Sequence, residues 1–168
     1  WKYQSTETPF NEIWNLIQFL AKPAFEITHH LINKFKDNKE NELKILTVAS
    51  QASLKIMPGN LGYNPGKILL ASSLFSLQGE IERKGIKNIK LYRLYPNTVA
   101  TEKYIPDIKA GKLKLDNPTS LESVVDAAMD LLEEKTPTKD VRIGYYPGRG
   151  IVRSYLSSAI SDYPNFKI

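Results

Sequence analysis

The chain alternates between long stretches in which apolar residues have helical spacing and short runs that are almost entirely apolar. Between Pro9 and Phe35 apolar residues recur every three or four positions, which predicts an amphipathic helix. Pro23 is expected to kink or divide this helix. After a polar turn, the run 43–50 has the composition of a strand that is buried on both faces. The chain thus begins as a helix followed by a buried strand.

A second helix is predicted from Pro65 to about Gly85. Asn64 can cap its start, and proline suits the first turn of a helix. Glycine suits the position that follows a helix, so Gly85 marks the end. The next apolar run, 88–96, is predicted to be a strand that stops at Pro96.

The last part of the pattern is a loop, a helix and a strand. The loop covers 97–118, and the helix begins at Thr119-Ser120-Leu121-Glu122, which has the capping-box pattern. The helix continues to Glu134, the run 141–146 is predicted to be a strand, and 147–168 is predicted to be a tail. Strands that alternate with helices favour a parallel α/β sheet.

We therefore predict a single α/β domain over residues 1–168 with a parallel sheet and flanking helices. Parallel strands that are joined by helices cross over with one hand, so all of them present their carboxyl ends to the same side. Ligands of open α/β sheets bind at that side. Ser50, Tyr63, Lys67 and the loop after Pro96 should therefore converge on one cleft.

Composition excludes several kinds of chemistry. The chain has no cysteine, which excludes disulfides, zinc–thiolate sites and thiol catalysis. This fits a reducing compartment, and we expect a cytoplasmic protein. No apolar run reaches the length of about 18 residues that a membrane span needs, and no signal-peptide layout begins the sequence. We expect no metal site, because His29 and His30 have no further ligand at a suitable spacing.

The formal net charge is +5, which would suit an anionic partner. The basic residues are interleaved with acidic and apolar residues and do not form a stripe. They are therefore predicted to be solvated surface, and nucleic-acid binding is the minority alternative.

Tyr63 and Lys67 stand four residues apart and so lie on the same face of the second helix. A free phenol has a pKa of about 10 and is a poor base at neutral pH. A neighbouring ammonium group stabilises the phenolate, and tyrosine can then exchange a proton with a carbonyl or hydroxyl oxygen. The spacing alone is a weak signal, since Tyr163 and Lys167 repeat it at the end of the chain.

The surroundings of the pair make the signal specific. Ser50 ends a buried strand and precedes Tyr63 by thirteen residues, and the next strand is followed by the motif Pro96-x-x-Val99-x-Thr101. In this order, the three features resemble the short-chain dehydrogenase/reductase family. The resemblance implies a Rossmann-like sheet, of which this chain would be the C-terminal part of a doubly wound fold.

The resemblance also implies hydride transfer between a nicotinamide cofactor and a carbonyl or alcohol substrate. Tyr63 would be the general acid/base, Lys67 would lower its pKa and bind the nicotinamide ribose, and Ser50 would orient the substrate oxygen. The residues 102–114 would form a substrate lid. The NAD or NADP cofactor would be held by Tyr63, Lys67, Pro96, Asn97, Val99 and Thr101.

Three features depart from the family pattern. No strand is followed by a glycine-rich turn for a dinucleotide pyrophosphate, so we expect that half of the fold to be missing and Trp1 not to be the natural start. Leu20 stands where the family often has a relay asparagine, and Asn97 replaces the usual glycine after Pro96. The alternative is an inactive or atypical member with a nucleotide-sensing or scaffold role.

The second helix, 65–84, is apolar on more than one face. A helix that covers a sheet needs only one apolar face. The surplus predicts a homodimer or homotetramer through this helix, which the resemblance also implies. The alternative is that the tail, 147–168, folds back over it.

Overall fold

The computed structural model describes residues 6–102, 105–110, 118–146 and 148–156. None of the helices in these ranges is long and apolar enough to cross a membrane. The elements in chain order are α1 (Phe10–Phe35), β1 (Leu43–Val48), a short 3-10 helix (Gln51–Leu54), α2 (Tyr63–Arg83), β2 (Ile89–Pro96), α3 (Ile105–Lys109), α4 (Leu121–Leu132), β3 (Asp140–Tyr146) and β4 (Gly150–Leu156).

The strands form one 4-stranded sheet in the order β1-β2-β3-β4. β1 and β2 are parallel, and so are β2 and β3. The predicted Rossmann-like parallel sheet with flanking helices is therefore confirmed. Because these three strands run in one direction, their carboxyl ends lie at the same end of the sheet.

The sequence pattern did not predict β4, which pairs antiparallel with β3. The segment 147–168 is therefore more than a tail, because part of it forms this strand. Gly148 and Gly150 have positive φ values of 73° and 70°, which the tight connection after Tyr146 needs. The strand is mostly half-buried and lacks a continuous apolar run, so its pattern is weak.

Alternate side chains of the strands supply cores on both faces of the sheet. On one face, Leu94 of β2 packs with Leu131 of α4. On the other face, Leu91 of β2 packs with Ile32 of α1 and Ile81 of α2. The helices α1 and α2 thus cover one face, and α4 covers the other.

A buried ion pair joins the middle of the sheet to α2. The Nε atom and one terminal nitrogen of Arg93 each donate to the Asp140 carboxylate at 2.6 Å. The side chains of Arg93 and Asp140 are fully buried. Tyr95 also donates to Asp140, at 3.0 Å. The Arg93 guanidinium lies 3.9 Å from the ring centroid of Phe75 and donates to the carbonyl of Leu74 at 3.4 Å. This network therefore fixes α2 relative to β2 and β3.

The continuity of α1 and the start of α2 differ from the prediction. α1 is continuous over Phe10–Phe35, so Pro23 does not divide it. α2 begins at Tyr63, directly after Gly62, and not at Pro65. Tyr63 is therefore the first residue of the helix that also carries Lys67.

Asn64 does not cap α2, although asparagine favours that position. Its side chain is buried and donates to the carbonyls of Ala52 and Lys55 at 2.5 and 2.8 Å. Its Oδ1 accepts from the amide of Met57 at 2.9 Å. These hydrogen bonds fasten the loop after β1 to the start of α2, and they account for the polar side chain at a buried position.

The predicted capping box of α4 is wrong by one residue. Ser120 is the cap, and its Oγ accepts from the amide of Ser123 at 3.2 Å. Thr119 is fully buried and forms a bridge with Val99 in the loop after β2. Thr119 therefore holds that loop, while Ser120 starts the helix.

Gly66 allows α1 and α2 to approach each other closely. A Cβ atom at this position would lie 3.0 Å from Leu20 Cδ1 and 3.2 Å from Ile17 Cα, which belongs to the backbone. We expect Gly66→Ala to lower the free energy of unfolding by about 1–3 kcal/mol, because the helices would have to separate. Urea unfolding followed by circular dichroism measures this change.

The matched control is Gly79→Ala, in the same helix, where an added Cβ meets nothing within 4 Å. Alanine is a better helix former than glycine, so this variant should gain up to about 1 kcal/mol. Equal effects of the two substitutions would contradict the close approach at Gly66.

Candidate active site

The carboxyl ends of the three parallel strands are tied together by polar side chains. Gln51 donates to the carbonyl of Ile143 at 3.0 Å, and the amide of Asn97 donates to the same carbonyl at 2.8 Å. The hydroxyl of Tyr146 donates to Gln51 Oε1 at 3.4 Å. The residues that follow β1 and β2 thus meet the end of β3, as the parallel topology predicted.

Gly144 makes this junction possible, and the sequence analysis missed it. A Cβ atom on Gly144 would lie 2.7 Å from Gln51 Nε2 and 2.9 Å from Asn97 Cβ. Gln51 and Asn97 therefore occupy the space that a side chain at position 144 would need. The signal was available, because a glycine inside a strand indicates the close approach of another group.

Ser50 follows β1 in extended conformation and starts the 3-10 helix. Its Oγ accepts from the amide of Ala52 at 3.1 Å, and its side chain is half-buried. That bond uses a lone pair of the oxygen, and a hydroxyl can donate its proton elsewhere at the same time.

Tyr63 and Lys67 are brought together at the start of α2. The Lys67 Nζ atom lies 5.9 Å from the centroid of the Tyr63 ring, within the range of a cation–π contact. Both side chains are half-buried. Burial lowers the pKa of Lys67, because the surrounding protein disfavours the ammonium form. The pair therefore forms the contact that its spacing predicted.

A groove of about 350 Å³ lies along the outer side of β1, and Lys67 is one of the residues that line it. Among the described residues β1 has no strand partner on this side, and α1 and α2 form the other walls. Leu20 of α1 lies in the same groove as Lys67. The side chain that lines the groove at position 20 is therefore apolar.

Thr119, which precedes the α4 cap Ser120, holds the loop after β2 through two backbone hydrogen bonds. Pro96 is buried and is the last residue of β2, whereas Asn97 is exposed. The backbone amide of Thr119 donates to the carbonyl of Thr98 at 2.9 Å. The carbonyl of Thr119 accepts from the backbone amide of Ala100, also at 2.9 Å.

These two bonds do not use the amide or carbonyl of Val99, whose side chain packs against the α4 core. Thr101 is half-buried, and its backbone carbonyl accepts a hydrogen bond from the amide of Ile105 at 3.1 Å. Of the predicted lid, 102–114, the structure describes Glu102 and 105–110, which include α3. The other lid positions lie outside the described residues.

The predicted site residues thus fall into two groups. Tyr63 and Lys67 are in contact, and Asn64 ties the start of their helix to the loop that Ser50 begins. Asn97 meets Gln51 at the end of β3. Asn64 was predicted only as a helix cap, and no role was predicted for Gln51 or Gly144, although these residues connect the two groups.

The fold and this arrangement define an α/β domain of Rossmann-like architecture with polar side chains at the carboxyl ends of its parallel strands. No family model matches the sequence, and no curated protein matches it. Solved structures of similar fold include dehydrogenases. They include the acetoin dehydrogenase of Enterobacter cloacae, with a TM-score of 0.65 and 18% identity over 83% of this chain and 56% of that one.

A 4-hydroxyisoleucine dehydrogenase complexed with NADH has a TM-score of 0.64 and 16% identity, over 83% of this chain and 60% of that one. The acetoin dehydrogenase of Salmonella typhimurium has a TM-score of 0.62 and 14% identity, over 83% of this chain and 57% of that one. At these identities the likeness shows the fold alone. The chain spans less than two thirds of the length of each of these neighbours.

Proposed function

We propose that the protein is an NAD- or NADP-dependent oxidoreductase of the short-chain dehydrogenase/reductase type, which acts on a carbonyl or alcohol substrate. The contact between Tyr63 and Lys67 beside the strand ends carries this proposal. The dehydrogenase neighbours support it, and one of them was solved with NADH. We also propose a cytoplasmic location, which the absence of cysteine favours.

The proposed chemistry is proton transfer at one substrate oxygen. In reduction, the Tyr63 hydroxyl donates its proton to the carbonyl oxygen, and in oxidation the phenolate takes a proton from the hydroxyl. Lys67 in its ammonium form stabilises that phenolate. The Ser50 hydroxyl donates to the same substrate oxygen, while its Oγ accepts from Ala52.

A nicotinamide cofactor, when bound, supplies or accepts the hydride. We propose that Lys67, with Pro96, Asn97, Val99 and Thr101, holds its nicotinamide end. The backbone amide and carbonyl of Val99 form no hydrogen bond with Thr119, so they fit the role of holding the nicotinamide end. The described residues offer no glycine-rich strand-to-helix turn for the cofactor pyrophosphate. We propose that residues outside the described ranges bind the pyrophosphate.

A second proposal is that the fold is kept without turnover, as a nucleotide-sensing or scaffold subunit. Leu20 beside Lys67 and Asn97 above Gly144 favour it, since both depart from the family pattern. The two proposals differ in whether the natural full-length protein consumes NADH or NADPH with a panel of small ketones and aldehydes. Consumption supports the first proposal, and its absence with every carbonyl, despite cofactor binding, supports the second.

We also propose that two or four copies associate through the helix 65–84. Leu69 on this helix is 45% exposed, a large fraction for leucine. We expect Leu69→Glu to convert the protein to a monomer, because a charge would be buried in the interface. Light scattering after size-exclusion chromatography gives the mass directly.

The control is Leu121→Glu at the start of α4, where the leucine is 55% exposed. This variant should keep the mass of the unchanged protein. A monomer before any substitution would contradict the proposed assembly.

A further inference from the structure

Lys67 differs from the other partly buried lysines in what surrounds it. Lys44 and Lys90 lie between Glu42 and Glu134, and hydrogen bonds to Glu134 above all raise the pKa of both lysines. Among the described residues, Lys67 forms no ion pair, and burial is what lowers its pKa. A lysine of lowered pKa has more of its amine in the neutral form at a given pH.

The groove at Lys67 can admit a small molecule. It measures about 350 Å³, and its apolar walls include Leu20, Ala24, Ile27, Ile45 and Val48. Lys67 is the only charged residue among those that line it, within the described part of the chain. Lys67 is half-buried and lines the groove, so burial disfavours its ammonium form while the residue borders the space that a small molecule would enter.

These features suit nucleophilic chemistry at nitrogen, since a desolvated lysine in an apolar pocket is activated towards carbonyl groups. We propose that Lys67 forms an imine with small aliphatic aldehydes that enter the groove. The neutral amine attacks the carbonyl carbon, a carbon–nitrogen bond forms, and the carbinolamine loses water to give the C=N bond. The apolar walls bind the alkyl chain of the aldehyde.

This activity goes beyond the proposed oxidoreductase function and needs no nicotinamide cofactor. The two uses of Lys67 require opposite protonation states, because the ammonium form supports Tyr63 and the neutral form attacks. Among the described residues, the titratable group of α2 that faces Lys67 is Tyr63, and the residues of α1 and β1 that line the groove carry none. The attack on the carbonyl should therefore become faster as the pH rises and the amine loses its proton, until the acid-catalysed loss of water becomes limiting.

Reductive trapping tests the proposal. The natural full-length protein is incubated with butanal and sodium cyanoborohydride, which converts an imine to a stable secondary amine, and the modified lysine is located by peptide mass spectrometry. We expect Lys67 to be modified roughly tenfold faster than Lys22 at neutral pH, because its amine is desolvated. Lys22 is a matched comparison on α1, where its side chain is 63% exposed and pairs with Glu26 at 3.7 Å.

Two variants separate the site from general lysine reactivity. Lys67→Arg keeps the positive charge and should lose the fast modification, whereas Lys22→Arg should keep it. Circular dichroism confirms that both variants fold. Modification spread over the lysines according to their exposure, or unchanged fast modification in Lys67→Arg, would overturn the proposal. Trapping is measured without cofactor, so its outcome is independent of whether the protein turns over NADH or NADPH.

Discussion

Replacing Tyr63 by phenylalanine is expected to lower kcat/KM for NAD(P)H-dependent carbonyl reduction by about 10²–10⁴-fold, the usual contribution of a general acid. Phenylalanine keeps the aromatic ring that contacts Lys67 and removes only the hydroxyl that would donate the proton. Initial rates in the natural full-length protein, at saturating cofactor and varied substrate, measure the loss.

The same substitution at Tyr155 is the control, because this tyrosine is 48% exposed on β4. Tyr155→Phe should keep the kcat/KM of the unchanged protein. Cofactor binding by Tyr63→Phe, followed by fluorescence, separates a chemical defect from a binding defect. If Tyr63→Phe reduces carbonyl compounds at an undiminished rate, another group is the acid.

The alternation of helices and strands could be predicted from the sequence because it depends on local patterns. The apolar runs that became β1 and β2 predicted two strands buried on both faces. β2 is almost entirely buried, but β1 is only half-buried and its last residue, Val48, is exposed, because β1 lies at the edge of the described sheet. The contact between Tyr63 and Lys67 was predictable for the same reason, since one helical turn separates them. The existence of these elements and the contact within α2 were therefore predictable from local spacing, whereas the caps of α2 and α4 were not.

The features that the sequence did not reveal depend on contacts between distant segments. Asn64 has the local signature of a cap, but buried carbonyls of the preceding loop determine its hydrogen bonds. Gly144 is required by Gln51 and Asn97, which come from two other strand ends. Gly144 and Gln51 belong to the junction at the strand ends, so the motif residues were easier to predict than the residues that position them.

Arg93 is another residue whose role was hidden, because a charge within an apolar strand gives no indication of its partner. Asp140 begins β3, 47 residues further along the chain, and pairs with it. We expect Asp140→Asn to lower the free energy of unfolding by about 3–5 kcal/mol, because Arg93 would keep a buried charge without its counter-charge. Chemical unfolding followed by fluorescence measures this loss.

The network also connects stability to the site, since Arg93 contacts Leu74 and Phe75 on the helix that carries Tyr63. Asp126→Asn on the exposed side of α4 is the control and should change the free energy by less than about 0.5 kcal/mol. The double variant Arg93→Met with Asp140→Leu removes both charges, so it should be more stable than Asp140→Asn alone. If the double variant is less stable than Asp140→Asn, the main loss comes from packing and not from the unpaired arginine.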